Sequence, residues 1–170
     1  MLIDFQHEAP CPIAQLLDLI GERWSFLIIR DAFYGIRRFD GFQKHLGISK
    51  KVLSTRLNTL VEAGILHKVL YQHSPDRYEY RLTAKGRELF PVLLTMMRWG
   101  NRWLVEEGEQ TVELIHADCG GKTEGRLVCS HCEQPVTPAR IKAVPGPGTT
   151  REVAQAFRQI IKKSNSEAGT

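Results

Sequence analysis

With 170 residues, 42% of them hydrophobic and 25% charged, the chain has the make-up of a globular protein with one real core and a small appendage, not of a disordered one. No apolar run approaches the roughly 20 residues needed to cross a bilayer. The start, "MLIDFQHEAP", carries acids in place of the basic and apolar regions of a signal peptide, so a cytoplasmic protein is expected. The net charge of +4 is local: residues 37–56 hold six basic side chains and one acid, whereas residues 1–36 hold two and five, which points to a polyanionic partner for the basic block.

In chain order, "CPIAQLLDLI" (Cys11 to Ile20) starts with a proline suited to a first helical turn. It then places Ile13, Leu16, Leu17 and Ile20 on one core-facing stripe. A second helix is expected from about Glu22 to Phe33, burying Trp24, Leu27 and Ile28 and stopping at Gly35. A third, about Arg37 to Leu46, carries Phe39, Phe42 and Leu46 at helical spacing and ends at Gly47. Only "GIS" separates it from a fourth, which Ser49 caps, Leu53, Leu57 and Leu60 turn inward, and Gly64 ends. Two short helices joined by so short a Gly-containing turn form a helix-turn-helix. "ILHKVLYQ" and "YEYRLT" then read as two strands around the turn "HSPDR", that is, a wing.

From Thr83 one long helix is expected to about Glu107, kinked at Pro91. Its apolar residues spread nearly all round, which calls for cover on more than one side, by its own domain and by a second subunit. From Thr111 the character changes to short β-like runs, "TVELIH" and "GRLVC", then the turn-rich "VPGPGTT". The tail "REVAQAFRQIIKK" can form an amphipathic helix with Val153, Ala156, Phe157 and Ile160 on one face, and "SNSEAGT" is expected to be disordered. The fold class is thus α+β, mainly α: a winged helix-turn-helix domain over residues 9–107, a small β-rich Cys/His extension over 111–148, and a tail over 149–170.

The fourth helix carries Lys50 and Lys51 in its first turn, where the helix dipole disfavours a cation by roughly 0.3–1 kcal/mol. A phosphate at that end reverses the sign, since backbone N–H groups, dipole and ammonium groups then converge on one anion. With the leucines turned inward, Lys50, Lys51, Ser54, Thr55, Asn58 and, toward one edge, Arg56 face out on a rod that fits a major groove about 12 Å wide. Ser49 joins them at the cap. Arg37 and Arg38 are placed for backbone phosphates, and His73 and Arg77 on the wing for the flanking minor groove. A merely solvated basic face explains any one of these residues but not their coincidence with the helix spacing and the wing.

These residues also resemble a known family, the HxlR-type bacterial regulators, winged-helix relatives of the MarR proteins. The likeness lies in "CP" at Cys11 and Pro12, "RW" at Arg23 and Trp24, "RRF" from Arg37, "ISKKVLSTRL" from Ile48, "AGIL" from Ala63, "SPDRYEYRLT" from Ser74 and Trp99. It covers about residues 9–107 and departs at "GERW", where the family usually shows a second Gly and a Lys. The resemblance implies a transcriptional regulator, more often a repressor, that binds a pseudo-palindromic operator as a homodimer built from the first and last helices of the domain. A small-molecule effector is a further implied partner. In some members the thiol of "CP" senses oxidants. A cysteine at a helix N-terminus has its thiolate favoured by the dipole, so Cys11 is a redox-sensing candidate, against the alternative of a half-buried cap.

The remaining cysteines stand in "HADCGGKTEGRLVCSHC". His116 and Cys119, then Cys129 and Cys132, offer four soft ligands in two x-x pairs, as tetrahedral zinc asks, although the nine-residue gap is shorter than that of a typical zinc ribbon. A structural zinc in a zinc-ribbon-like extension, reduced thiols, and a Cys129–Cys132 redox pair all remain open. "GGKT" is no P-loop, because His116 stands where the leading glycine belongs. No hydrolase motif or paired carboxylates appear, and the acids look like solvated surface. The expected function is therefore DNA binding without catalysis. The alternatives are a thiol oxidoreductase using Cys129 and Cys132, which lacks the surrounding βαβ pattern, and a winged helix used for protein contacts.

Overall fold

The computed structural model describes residues 11–167, with side chains up to residue 159. It divides into two compact units, one spanning residues 19–128 and the other joining residues 129 onward to the N-terminal segment through Asp18. Helix α1 (Pro12–Ile20) begins after Cys11, whose carbonyl accepts the first helical hydrogen bond from Gln15 N at 3.0 Å. The stripe expected to face a core does so only at Ile20; Ile13 and Leu17 are 69% and 60% exposed.

The larger unit opens with α2 (Arg23–Phe33) and α3 (Phe39–Leu46). In α2, Ile28 and Ile29 are fully buried, while Trp24 and Leu27 are only half-buried. Asp31 is also fully buried, which corrects the reading of the acids as solvated surface. Its carboxylate is held on both sides: Arg30 Nε and Nη2 donate to Oδ1 at 3.0 and 2.7 Å, and His45 Nδ1 lies 2.8 Å from Oδ2. A buried charge persists only when paired in this way. Ser25 Oγ, also in α2, is buried without a partner among the described residues.

Gly47 closes α3 in the left-handed conformation, φ +65°, with its N–H on Gln43 O at 2.9 Å, and so makes the tight turn into α4 (Lys50–Glu62). Ser49 caps α4, its Oγ accepting from Val52 N at 3.3 Å. Phe42, Leu53, Leu57, Leu60, Ile65 and Leu66 form the centre of the core, each at most 1% exposed. The three leucines of α4 recur at i, i+4 and i+7, which fixes the rotation of the helix about its own axis.

The wing is an antiparallel hairpin of β1 (Leu66–Gln72) and β2 (Arg77–Leu82), in a register that pairs Leu66 with Leu82 and Lys68 with Tyr80. The expected long helix is instead two. Thr83 caps α5 (Ala84–Arg87), and α6 (Phe90–Trp103) starts afresh with Pro91 in its first turn, ending four residues before the expected Glu107. Proline has no N–H and clashes with the preceding turn, so the chain breaks rather than bends and Pro91 takes a position that it tolerates. Gly86 is needed at the junction: a Cβ there would lie 2.3 Å from Ile65 O. Phe33 and Phe90 meet at 5.3 Å between ring centroids, and Leu93 and Leu94 of α6 are buried.

The two strands expected after Thr111 do not form. The segment runs in turns, with isolated bridge residues at Ile115 and Lys122, which pair, and at Val128 and Pro135. Arg98 of α6 donates to Gly125 O at 2.7 Å, fastening this segment to the helix. In the smaller unit, a turn at Cys129–Gln134 and a short 3-10 turn (Pro138–Arg140) lead to α7 (Arg151–Glu167). Val153 is buried there, and Ala156 and Phe157 are half-buried; Ile160 lies outside the residues whose side chains are described. The helix includes Ser164 to Glu167, part of the stretch expected to be disordered; Ala168 to Thr170 lie outside the described residues.

Candidate nucleic-acid interface

Because Leu53, Leu57 and Leu60 are fixed inward, the opposite face of α4 presents Lys50, Lys51, Ser54, Thr55 and Asn58, all exposed. Each makes a different use of that position. The two lysines stand in the first turn, which contains no acid to answer the helix dipole. Thr55 donates its hydroxyl back to Lys51 O at 3.0 Å, leaving the oxygen to accept. Asn58 has its Oδ1 held by Lys68 Nζ at 3.2 Å, which leaves the amide nitrogen to donate. A donor fixed in this way can discriminate between base edges.

Arg56 is not part of this face. Its Nη2 pairs with Glu22 Oε2 at 3.2 Å, and its Nε is buried. Glu22 belongs to the "GERW" departure, so that departure is tied to the back of α4. Proximity in sequence placed Arg56 beside the outward-facing residues of α4; the partner that turns it away lies 34 positions upstream, where no local pattern shows it.

Arg37 and Arg38 are exposed and stand just before α3 rather than in it. Their backbone runs along the wing: Tyr80 N donates to Arg37 O at 2.7 Å, and Arg38 bridges to Glu79. The Arg38 guanidinium stacks 4.3 Å from the Tyr71 ring centroid, with its Nε 3.4 Å from Glu79 Oε1. Arg81 donates to the other Glu79 oxygen at 2.8 and 3.1 Å. Hydrogen bonds from Arg81, and secondarily from Arg38, hold the Glu79 carboxyl below its ordinary range, while burial alone pushes the Tyr80 phenol up. At the wing tip His73 and Arg77 are exposed, and His73 Nδ1 is a loose 3.8 Å from Asp76.

Sequence reasoning missed Lys68, Tyr71 and Glu79. The signal for Lys68 was present: in the observed register it shares a face with Tyr80, and its ammonium lies 5.9 Å from that ring. Glu79 is a second acid that the reading of the acids as solvated surface does not fit. It is half-buried because two arginines grip it.

The HxlR-like helix-turn-helix family model matches residues 19–108, which spans α2 through α6. The chain belongs to the HxlR-like helix-turn-helix family. An HTH-type transcriptional regulator of Mycobacterium tuberculosis is 40% identical over 144 residues, 85% of this chain and 91% of the relative. One from Synechocystis is 43% identical over 98 residues, 57% of this chain and 73% of the relative. Among solved structures, PA1607 superposes with a TM-score of 0.75 at 38% identity, covering 85% of this chain and 100% of the other. The redox regulator HypR in its reduced form superposes at 0.51 and 34% identity, covering 56% and 97%. This HxlR-type chain is thus a transcriptional regulator whose winged helix-turn-helix is its DNA-binding domain.

The Cys/His positions of the HxlR-type chain lie outside that interface. His116 and Cys119 share a tight turn, with Nδ1 3.3 Å from Sγ. Its frame is His116 N to Gly121 O, Gly120 N to His116 O, and a positive φ at Gly120. The turn at Cys129 and Cys132 has the same frame: Cys129 N to Gln134 O, Glu133 N to Cys129 O, and a positive φ at Glu133. There the N–H groups of Cys132 and His131, and then the Cys132 thiol, lower the pKa of Cys129. Among the described residues, no three His, Cys, Asp or Glu side chains are gathered where one metal ion could be held. Cys11 is half-buried at the head of α1. No helix among the described residues is long and apolar enough to cross a membrane.

Proposed function

We propose that this chain is a cytoplasmic repressor that acts by binding rather than catalysis, engaging a pseudo-palindromic operator as a homodimer. The observation that carries the reading is the outward face of α4: two lysines at a dipole end that disfavours them, followed by small hydrogen-bonding side chains. Lys50, Lys51 and Ser49 meet phosphates at the groove edge, Ser54, Thr55 and Asn58 meet base edges, and Arg37, Arg38, His73 and Arg77 take the flanking backbone. Footprinting over candidate operators tests this. Two protected half-sites about 34–36 Å apart, lost in the Lys50→Glu/Lys51→Glu variant, are expected. Protection that survives the charge reversal contradicts it.

The affinity of the complex is altered by a small molecule or by thiol chemistry at Cys11. Support for the thiol comes from its place at the N-terminus of α1 and from the likeness to the redox regulator HypR. Cys11→Ser is expected to abolish any change in operator affinity caused by a thiol oxidant. An unchanged response in that variant moves the chemistry elsewhere.

A further inference from the structure

On the outward face of α4, Lys51, Thr55 and Asn58 recur at i, i+4 and i+7, so Asn58 carries the stripe that begins at the lysines into the third turn. Its amide offers a carbonyl oxygen that accepts and an NH2 group with two protons to donate. What chooses between them comes from outside the helix. Lys68, in the third position of β1, stands opposite Tyr80 across the hairpin, its ammonium 5.9 Å from that ring and 3.2 Å from Asn58 Oδ1. An ammonium only donates, so the amide is turned with its oxygen toward Lys68 and its NH2 group away from it.

We propose that Lys68 is a positioning residue for base recognition: it sets Asn58 to donate, and so makes the base that Asn58 meets a guanine. The proposal rests on the operator-binding reading above. In the major groove guanine presents two acceptors, N7 and O6, whereas adenine presents the acceptor N7 beside the N6 amino donor. An asparagine free to use both ends of its amide favours adenine, donating to N7 and accepting from N6. With Lys68 on Oδ1, the amino group of adenine meets a positive charge already seated on that oxygen. The NH2 group, left to donate, matches the acceptor edge of guanine.

The test selects binding sites from a library of random-sequence duplexes with the full-length protein, as wild type, Asn58→Ala, Lys68→Met and the double variant. Methionine keeps much of the apolar stem of lysine without the donor, and both positions are exposed, so all four proteins are expected to fold. The wild type should enrich one G·C pair per half-site at which guanine is preferred over adenine by about tenfold or more, and Asn58→Ala should loosen that pair alone. Lys68→Met should turn the same pair toward adenine, changing the ratio of the two affinities by at least about tenfold while the other pairs keep their preferences. In the Asn58→Ala background, Lys68→Met should have no further effect on base preference, because Lys68 acts through Asn58. An adenine at this pair in wild type, no pair loosened by Asn58→Ala, an unchanged preference in Lys68→Met, or a shift that persists without Asn58 overturns the role of Lys68. An unchanged preference joined to a salt slope flatter by about one unit would make Lys68 a phosphate contact instead. A library from which the wild type enriches no sequence would refute the operator reading itself, and the positioning role with it.

Discussion

Two basic residues of α4, five positions apart in sequence, stand in opposite surroundings. Lys51 is exposed in the first turn, and neutralising it should flatten the log–log dependence of operator affinity on salt by about one unit. Arg56 faces Glu22, so Arg56→Ala should leave that slope unchanged and lower stability by about 0.5–1 kcal/mol, the usual scale of a partly exposed pair. Salt titrations of the two variants separate these roles, and a slope change with Arg56→Ala would return that residue to the DNA face. Cys129 makes a third case. Its thiol accepts from the N–H groups of its own turn, which favours the thiolate, so its alkylation rate should rise at lower pH than that of an ordinary thiol. Cys132→Ser, which keeps the backbone donors, should move the profile only part of the way back. A Cys129 profile identical to that of an unperturbed thiol would show that the turn does not tune it.

At the scale of elements, the helix-turn-helix depends on two glycines for different reasons. Gly47 supplies a left-handed turn, and Gly47→Ala should cost about 1–2 kcal/mol in a urea melt. Gly86 lets α5 approach Ile65 O, and since the obstacle is backbone, Gly86→Ala should cost about 1–3 kcal/mol or more. A near-wild-type midpoint for Gly86→Ala would mean that the junction between wing and helix gives way easily. These elements also show what the sequence could convey. The leucine spacing of α4, the Ser49 cap, the Gly47 stop and the two wing strands are local patterns, and all were legible. Pro91 was legible as an interruption but not as a complete break, because a kink and a new helix start obey the same local rule. The pairing of Asp31 with His45, of Arg56 with Glu22 and of Glu79 with Arg38 joins residues 14 to 41 positions apart, so charge alone suggested surface. The runs after Thr111 have strand-like composition, but they pair only at isolated bridge residues, Ile115 with Lys122 and a further one at Val128, and build no ladder.

For the whole molecule, the unanswered surface is apolar. On and just after α6, Met96, Trp99, Trp103 and Leu104 are between 54% and 73% exposed, while Leu93 and Leu94 of the same helix are buried. An apolar stripe of this size, with two tryptophans, fits a second copy of the chain better than water. Trp99→Glu/Trp103→Glu should therefore yield a folded monomer by sedimentation, with operator affinity reduced because two half-sites no longer bind as a unit. A dimer that survives both charges would move the interface elsewhere. The central claim, that the outward face of α4 is held ready for phosphates and bases, is tested most directly by operator affinity over a series of salt concentrations, for wild type and for Lys50→Ala/Lys51→Ala. The account predicts a steep linear fall in log affinity with log salt and a slope smaller by about two units in the variant. A wild-type affinity indifferent to salt, or identical slopes for the two proteins, would contradict it.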